Sequence, residues 1–511
     1  MTPIRFALVL LLTLAAQLLA ASPAQAKWLR ADTRHFVIYS SGSEKELQRF
    51  GLQLERFNQL LRQRVDTQDD DNPNKLTVYF LGSQEAVSHL YGGKTRYVAG
   101  FYSPQEDGTY AVANRSKKDG MFDLDGMTVL FHEYAHHFMF RHFTYAYPTW
   151  YVEGFAEFLS TVTFADDGTY TVGKPAYHRA LGLNLLAKTP IEKLLFGDIA
   201  GMSPEQVDAF YGRSWLLVHM LSMQPEYKGK TKAYFAAIAR GKSQREAATE
   251  ALGDLKLLDK ALDSYFNQPK LTYLSSKIPI QVDAAMKVTE IDDVAGQLVM
   301  FRLKRKQGKA DAKSRDALQK LAAANPARAD LWYELALTER DIAEGAEPPA
   351  RDKAELLAEA AVDRALTAEP EHVRANVLKA DILFKRLEAS AAATSADWSK
   401  ARKYLIVANA HAVDDPLVLI EWYRSFAYQR REPTKTAHDA LARAFSLAPE
   451  VTGLRVQYAL DLAATGEFDK AINLVEFLAQ DPHEGEQGRK LLQILFAMRD
   501  AAKGKSTTPV K

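Results

Sequence analysis

Two runs, HEYAH at His132–His136 and WYVEGFAEFLS at Trp150–Ser160, restrict what this chain can fold into more than any other stretch. On a helix, His132 and His136 lie one turn apart on the same face, so both imidazoles can reach one metal ion. Glu153 offers a third ligand, which requires a second helix facing the first across a loop containing Pro148 and Thr149. Three protein ligands leave the fourth position of a tetrahedral zinc open, the arrangement of catalytic rather than structural sites. Glu133 sits beside the pair, where a base is needed to deprotonate a metal-bound water. The pattern points to zinc-dependent hydrolysis, foremost of peptide bonds.

The flanking residues suit this placement. Val129, Leu130 and Phe138 predict a buried helix over 126–142, with Asp123 or Asp125 as its N-cap. A second helix is expected over 150–163. Gly154 permits close helix approach, and Ala156 leaves room near a metal. Glu157 lies one turn beyond Glu153 and faces the same way, so its carboxylate can accept the second N–H of a ligating histidine. His137 points about 100° away from His136, and His142 falls at the helix C-terminus, where an imidazolium suits the dipole. Neither is expected to bind the metal.

A chain of 511 residues, 47% of them hydrophobic, is too long for one compact core, so two or more domains are expected. With 65 basic and 64 acidic residues the net charge is +1, and no basic stripe with interleaved aromatics recommends nucleic acid as a partner. Residues 1–26 read as a secretory signal peptide, with Arg5 before an apolar run from Phe6 to Leu19 and Ala24-Gln25-Ala26 as the cleavage site. No later segment is long and apolar enough to span a bilayer. The mature protein is expected to be exported, to a bacterial periplasm. Cysteine is absent, so stability rests on core packing without disulfides, and zinc must be held by histidine and carboxylate.

Residues 27–266 carry the motif. Strands are predicted at 35–40, 75–81, 97–102 and 109–113, a helix at 44–64, and helices throughout 180–266. Residues 267–310 read as a mixed connecting segment, and the basic run Arg302 to Lys313 at its end as a solvated surface. Over 311–502 the sequence repeats. Prolines at 326, 370, 416, 449 and 482 each close a helical pattern, at intervals of 44, 46, 33 and 33 residues. The longer intervals fit a repeat of about 34 residues with insertions at 344–351 and 389–397. Trp332, Leu335, Ala336, Tyr458, Leu460, Gly466 and Ala471 fall where tetratricopeptide repeats place packing residues. The tail, 503–511, is expected to be disordered.

The two motifs resemble the gluzincin metallopeptidases, and Glu153-Gly154-Phe155-Ala156 matches the EGFA run that supplies the third zinc ligand in their aminopeptidase branch. Here 16 residues separate His136 from Glu153, slightly fewer than in that branch. The stretch from Trp28 to about Leu221 is similar to bacterial peptidase-MA-like families, and the C-terminal part resembles a short tetratricopeptide array. The resemblance implies an α+β zincin-like catalytic domain followed by an all-α helical-repeat (TPR-like) domain. It implies His132, His136 and Glu153 as zinc ligands, Glu133 as general base, and a downstream donor to the oxyanion. Tyr211 is the best candidate for that donor, with His219 and His178 as rivals. It also implies that strand 109–113 is an edge that pairs with extended substrate. The GxMEN element of the aminopeptidase branch is absent. The function expected is that of an exported zinc metallopeptidase whose repeats recruit protein partners or substrates. Two alternatives stand beside it: a protein-binding scaffold with a vestigial peptidase-like domain, and a zinc amidase acting on cell-wall peptides.

Overall fold

The computed structural model describes residues 27–69, 72–92, 98–115, 125–143, 146–184, 188–197, 199, 201–283, 285–480 and 485–506. The expected signal peptide lies outside them, as do Asp123, Pro482 and residues 507–511 of the tail.

The chain opens with strands β1 (Leu29–Asp32) and β2 (Phe36–Ser40), helix α1 (Glu44–Val65), strand β3 (Leu76–Leu81) and helix α2 (Gln84–Tyr91). Strands β4 (Gly100–Ser103) and β5 (Tyr110–Asn114) lead into helices α3 (Gly126–His142) and α4 (Thr149–Ser160). Short strands β6 (Thr163–Phe164) and β7 (Tyr170–Val172) precede helices α5 (Ala180–Asn184), α6 (Ile191–Phe196) and α7 (Pro204–Met223). Then come α8 (Lys230–Ala239), α9 (Gln244–Leu252), α10 (Leu255–Phe266), β8 (Leu274–Ser276), β9 (Lys287–Glu290) and α11 (Asp293–Lys306).

Six strands form one mixed sheet in the order β4-β5-β3-β2-β1-β9, while β6, β7 and β8 make a small second sheet. In the large sheet β2, β3 and β5 run parallel, and the outer pairings β4–β5, β1–β2 and β1–β9 are antiparallel. Alternation along each strand decides which layer each side chain joins. Phe36, Ile38, Val78, Phe80, Ala111 and Ala113 face the main core with α1 and α3. There Phe50 stacks on Phe80 and Phe57 on Phe131, with ring centroids 4.2 and 4.1 Å apart. Tyr79, Leu81, Phe101, Tyr110 and Val112 face the other way and are covered by Val299 and Leu303 of α11.

That cover corrects the reading of 267–310 as a connector. Strand β9 pairs with β1, Leu29 opposite Glu290, and α11 packs on the sheet, so the segment completes the α/β unit. The basic run is corrected too. Arg305 is held by Glu334 at 2.6 Å and Lys306 by Asp107 at 2.6 Å, both largely shielded from solvent.

Beyond α11 the described chain is helical: α12 (Ala312–Ala324), α13 (Ala329–Ile342), α14 (Pro348–Ala368), α15 (Val373–Glu388), α16 (Ser395–His411), α17 (Pro416–Tyr428), α18 (Lys435–Leu447), α19 (Thr452–Ala464), α20 (Phe468–Ala479) and α21 (Gly485–Ser506). One device recurs at the turns. Trp332 Nε1 donates to the Pro326 carbonyl at 3.0 Å, Asn376 Nδ2 to that of Pro370 at 2.9 Å, and Arg455 Nη2 to that of Pro449 at 2.7 Å. Each side chain lies six residues after its proline and ties the turn to the next helix. Pro416 differs, opening α17 at its first position, where a missing N–H is harmless. Trp332, Leu335, Ala336 and Ala471 are buried as expected, but Leu460 is 43% exposed. Part of the insertion at 344–351 is absorbed as the first turn of α14. Residues 503–506, the start of the expected tail, fall in the last turn of α21, a helix whose Leu495 packs with Ile472 and Val475. No helix among the described residues is long and apolar enough to cross a membrane.

Candidate metal centre

Helix α3 starts where β5 ends. The Asp125 carboxylate accepts the Thr128 N–H at 2.8 Å as N-cap. A Cβ at position 126 would collide with the Asn114 carbonyl, so only glycine lets the helix begin this close to the strand. Helix α4 lies against α3 on one side and α7 on the other. At Gly154 an added Cβ would stand 2.5 Å from the Ser214 carbonyl oxygen, so this glycine sets how closely α4 seats on α7.

The two helices bring the three expected ligands together. His132 Nε2 and His136 Nε2 are 3.0 Å apart, and Glu153 Oε2 is 3.6 Å from each. Ligands held about 2.0–2.1 Å from a tetrahedral zinc stand about 3.3 Å from one another. The observed triangle brackets that spacing, and His132, His136 and Glu153 form the group able to hold a metal ion among the described residues. Two neutral imidazoles and one carboxylate are a borderline donor set that suits zinc. Glu153 is fully buried, a place where a carboxylate needs a compensating cation.

Glu157 lies behind His132. Its Oε1 accepts from His132 Nδ1 at 3.2 Å, which leaves the Nε2 lone pair aimed at the triangle. The same carboxylate accepts from His178 Nε2 at 2.9 Å and from Arg179 Nε at 3.0 Å. Burial alone would raise the Glu157 carboxyl, but Arg179, His132 and His178 hold it well below the ordinary carboxylate value. Arg179 in turn donates to Asp208 at 2.8 Å. The sequence reading missed Arg179, whose signal was only its position beside His178.

The triangle opens into a cleft of about 540 Å³. Glu133 and Tyr211 line it, as do Gly100, Phe101 and Tyr102 of β4. The Tyr211 ring stacks near His132, centroids 6.4 Å apart, with the Arg179 guanidinium 5.1 Å from its centre. Burial, aided by the Glu153 carboxylate, pushes its phenol above the ordinary value, keeping it a donor. Of the rival oxyanion donors, His219 is fully buried, with Nδ1 bonded to the Tyr265 hydroxyl at 2.7 Å and Nε2 to the Gly173 carbonyl at 2.8 Å. It does not line the cleft. His178 does, but its Nε2 is engaged by Glu157.

His137 and His142 lie apart from the group. His137 Nδ1 is hydrogen-bonded to the Tyr102 hydroxyl at 2.8 Å, and burial, with Arg141 and His142 nearby, pushes the imidazole well below its ordinary value. The expected substrate edge is corrected: β5 is interior, between β4 and β3, and the edge strand beside the cleft is β4. Two lining residues come from far along the chain, Glu450 and Thr452, in the turn and first residue before and within α19. No local sequence signal marks them.

No family model matches the chain, and no curated protein matches it. Among solved structures, one described as "MamA RS-1 ArsTM double mutant" aligns at 14% identity over 41% of this chain and 98% of its own, with a TM-score of 0.26. That score is too low to support an inference about fold or function.

Proposed function

We propose that the protein is a zinc metallopeptidase of gluzincin type, exported to a bacterial periplasm, with a zincin-like α/β unit and a TPR-like array. The observation that carries this reading is the spacing of His132, His136 and Glu153 beside Glu133 in one cleft, with His132 oriented from behind by Glu157. Zinc bound there would polarise a substrate carbonyl and acidify water.

The chain's own residues supply the rest. Glu133 takes a proton from the attacking water and delivers it to the leaving amine. Glu157 fixes the tautomer of His132. Tyr211 donates to the oxygen that gains charge as the carbonyl is attacked. Strand β4, at the end of the sheet among the described residues, would pair through its backbone with an extended peptide in the cleft and so tolerate many side chains.

The test is zinc content of the purified protein together with casein cleavage, for the wild type, His132→Ala and Glu133→Gln. One zinc per chain, lost in His132→Ala, kept in Glu133→Gln, and cleavage lost in both, is the expected result. Unchanged cleavage in His132→Ala would overturn the reading. A second reading, a protein-binding scaffold, is favoured by a cavity of about 350 Å³ between the array and the β4–β5 turn, lined by Arg340, Lys385 and Tyr428 together with Glu106 and Asp107. Zinc retained without turnover, and a knockout rescued by Glu133→Gln, would support it.

A further inference from the structure

The turn between β4 and β5 leaves the sheet and reaches helices α15 and α17 of the array. There Glu106 meets Arg424 of α17 through two hydrogen bonds, Nη1 to Oε2 at 2.7 Å and Nη2 to Oε1 at 2.6 Å. Lys306 of α11 donates to both Asp107 oxygens, at 2.6 and 2.7 Å, and to Gln105 Oε1 at 2.7 Å. Arg374 of α15 donates to the Asp107 carbonyl at 3.1 Å. Three cations from three helices thus converge on three consecutive residues.

The cations are themselves braced. Arg374 is forked onto Asp415 at 3.0 and 2.9 Å, and Arg424 is held by Glu421 at 2.9 Å and Gln457 at 3.1 Å. Fixed guanidinium groups make bidentate carboxylate recognition geometrically strict. Asp107 is the reciprocal partner: burial alone would raise its carboxyl, but Lys306 holds it below the ordinary value. A loose surface pair would not need such bracing.

The position of the turn gives the contact a meaning. It follows β4 directly, and β4 is the edge strand lining the cleft. We propose that Arg374 and Arg424 of the array, together with Lys306 of α11, form an intramolecular clamp on Gln105–Asp107, and that these three are positioning residues setting β4 against the cleft. The part of this concerning substrate rests on the metallopeptidase reading. On this view the array acts first on its own chain, and an acidic turn is the chemistry its braced guanidinium groups select.

The test uses the full-length protein with Arg424→Gln, Glu106→Gln and the double variant, and Arg424→Lys as a milder change should Arg424→Gln fail to fold. Amide exchange reads the strand directly. Exchange over 98–103 is expected to quicken roughly tenfold, while β2 and α3 keep their protection. Zinc content should match the wild type. On a peptide substrate KM should rise about threefold or more with kcat little changed, because β4 grips substrate without touching the reacting atoms. The double variant should be no worse than the singles, as expected of two groups acting through one contact. Unaltered exchange in β4 would overturn the clamp, as would exchange rising evenly across the α/β unit, the sign of mere interdomain glue. If the wild type cleaves nothing, the peptidase reading fails while the exchange measurement still decides the clamp.

Discussion

Helix α3 presents two faces, and buried carboxylates from other elements meet both. On one face His132 and His136 look towards Glu153 and Glu157 of α4. On the other, Arg141 looks towards Glu450 from the array, with its Nη1 3.1–3.2 Å from both carboxylate oxygens, while Thr109 Oγ1 donates to the same group at 3.1 Å. His137 is bonded to Tyr102 and stands 3.9 Å from Glu450. The residue types are alike, yet the faces differ in closure. At Glu450 protein donors meet the carboxylate oxygens directly, although the residue also borders the cleft. Around Glu153 the atoms stop 3.6 Å from both imidazoles, with room for an ion between them. A histidine–carboxylate cluster is a lock where its donors and acceptors are matched, and a ligand set where all of its lone pairs converge.

This contrast can be broken by substitution. The largest effect is expected on the ligand face: on the metallopeptidase proposal, Glu133→Gln should lower peptide cleavage by about a thousandfold while keeping one zinc per chain. Steady-state assay beside elemental analysis checks it, and zinc lost together with activity would mean Glu133 shapes the site instead of serving as base. On the lock face, Glu450→Ala removes the carboxylate that faces the buried Arg141 guanidinium. Denaturant titration should show a loss of about 3 kcal/mol with zinc content unchanged. Should zinc also leave, the two faces are one site.

Glu157→Gln sharpens the ligand face. Zinc affinity, measured by competition with a chelator, should weaken about 10- to 100-fold with stoichiometry kept at saturating metal. The smallest effect is expected at His137→Leu. It removes the hydrogen-bond partner of the buried Tyr102 hydroxyl, for about 1–2 kcal/mol of stability, and zinc binding should be untouched. A zinc-free His137→Leu protein would return that histidine to the ligand set.

The same contrast explains what could be read from the sequence. Helix α3 spans the predicted 126–142, because its caps and apolar positions are local. His132, His136, Glu153 and Glu157 were legible because a one-turn spacing fixes a face. The lock was not. Glu450 lies more than 300 residues from Arg141, and no local pattern announces that pairing. Arg305 and Lys306 looked solvated for the same reason, since Glu334 and Asp107 decide their burial. Strands β1 and β9 are four residues each and lack an alternation long enough to stand out. The choice between β4 and β5 as the edge depends on sheet order, which neither strand encodes alone. His219 was a fair candidate until Tyr265 and Gly173 claimed both its nitrogens.

The pairing of Leu29 with Glu290 has a consequence in time. As the chain emerges from the N-terminus, β1 keeps an unpaired edge until the stretch around residue 290 has been made. An exposed strand edge is a template for wrong partners, and such long-range closure is slow. The turn at Gln105–Asp107 waits longer still, until Arg374 and Arg424 arrive, and Glu450 reaches Arg141 last. The residues of HEYAH are thus among the early parts of the chain to be synthesised, but the walls of their cleft are among the last to be set.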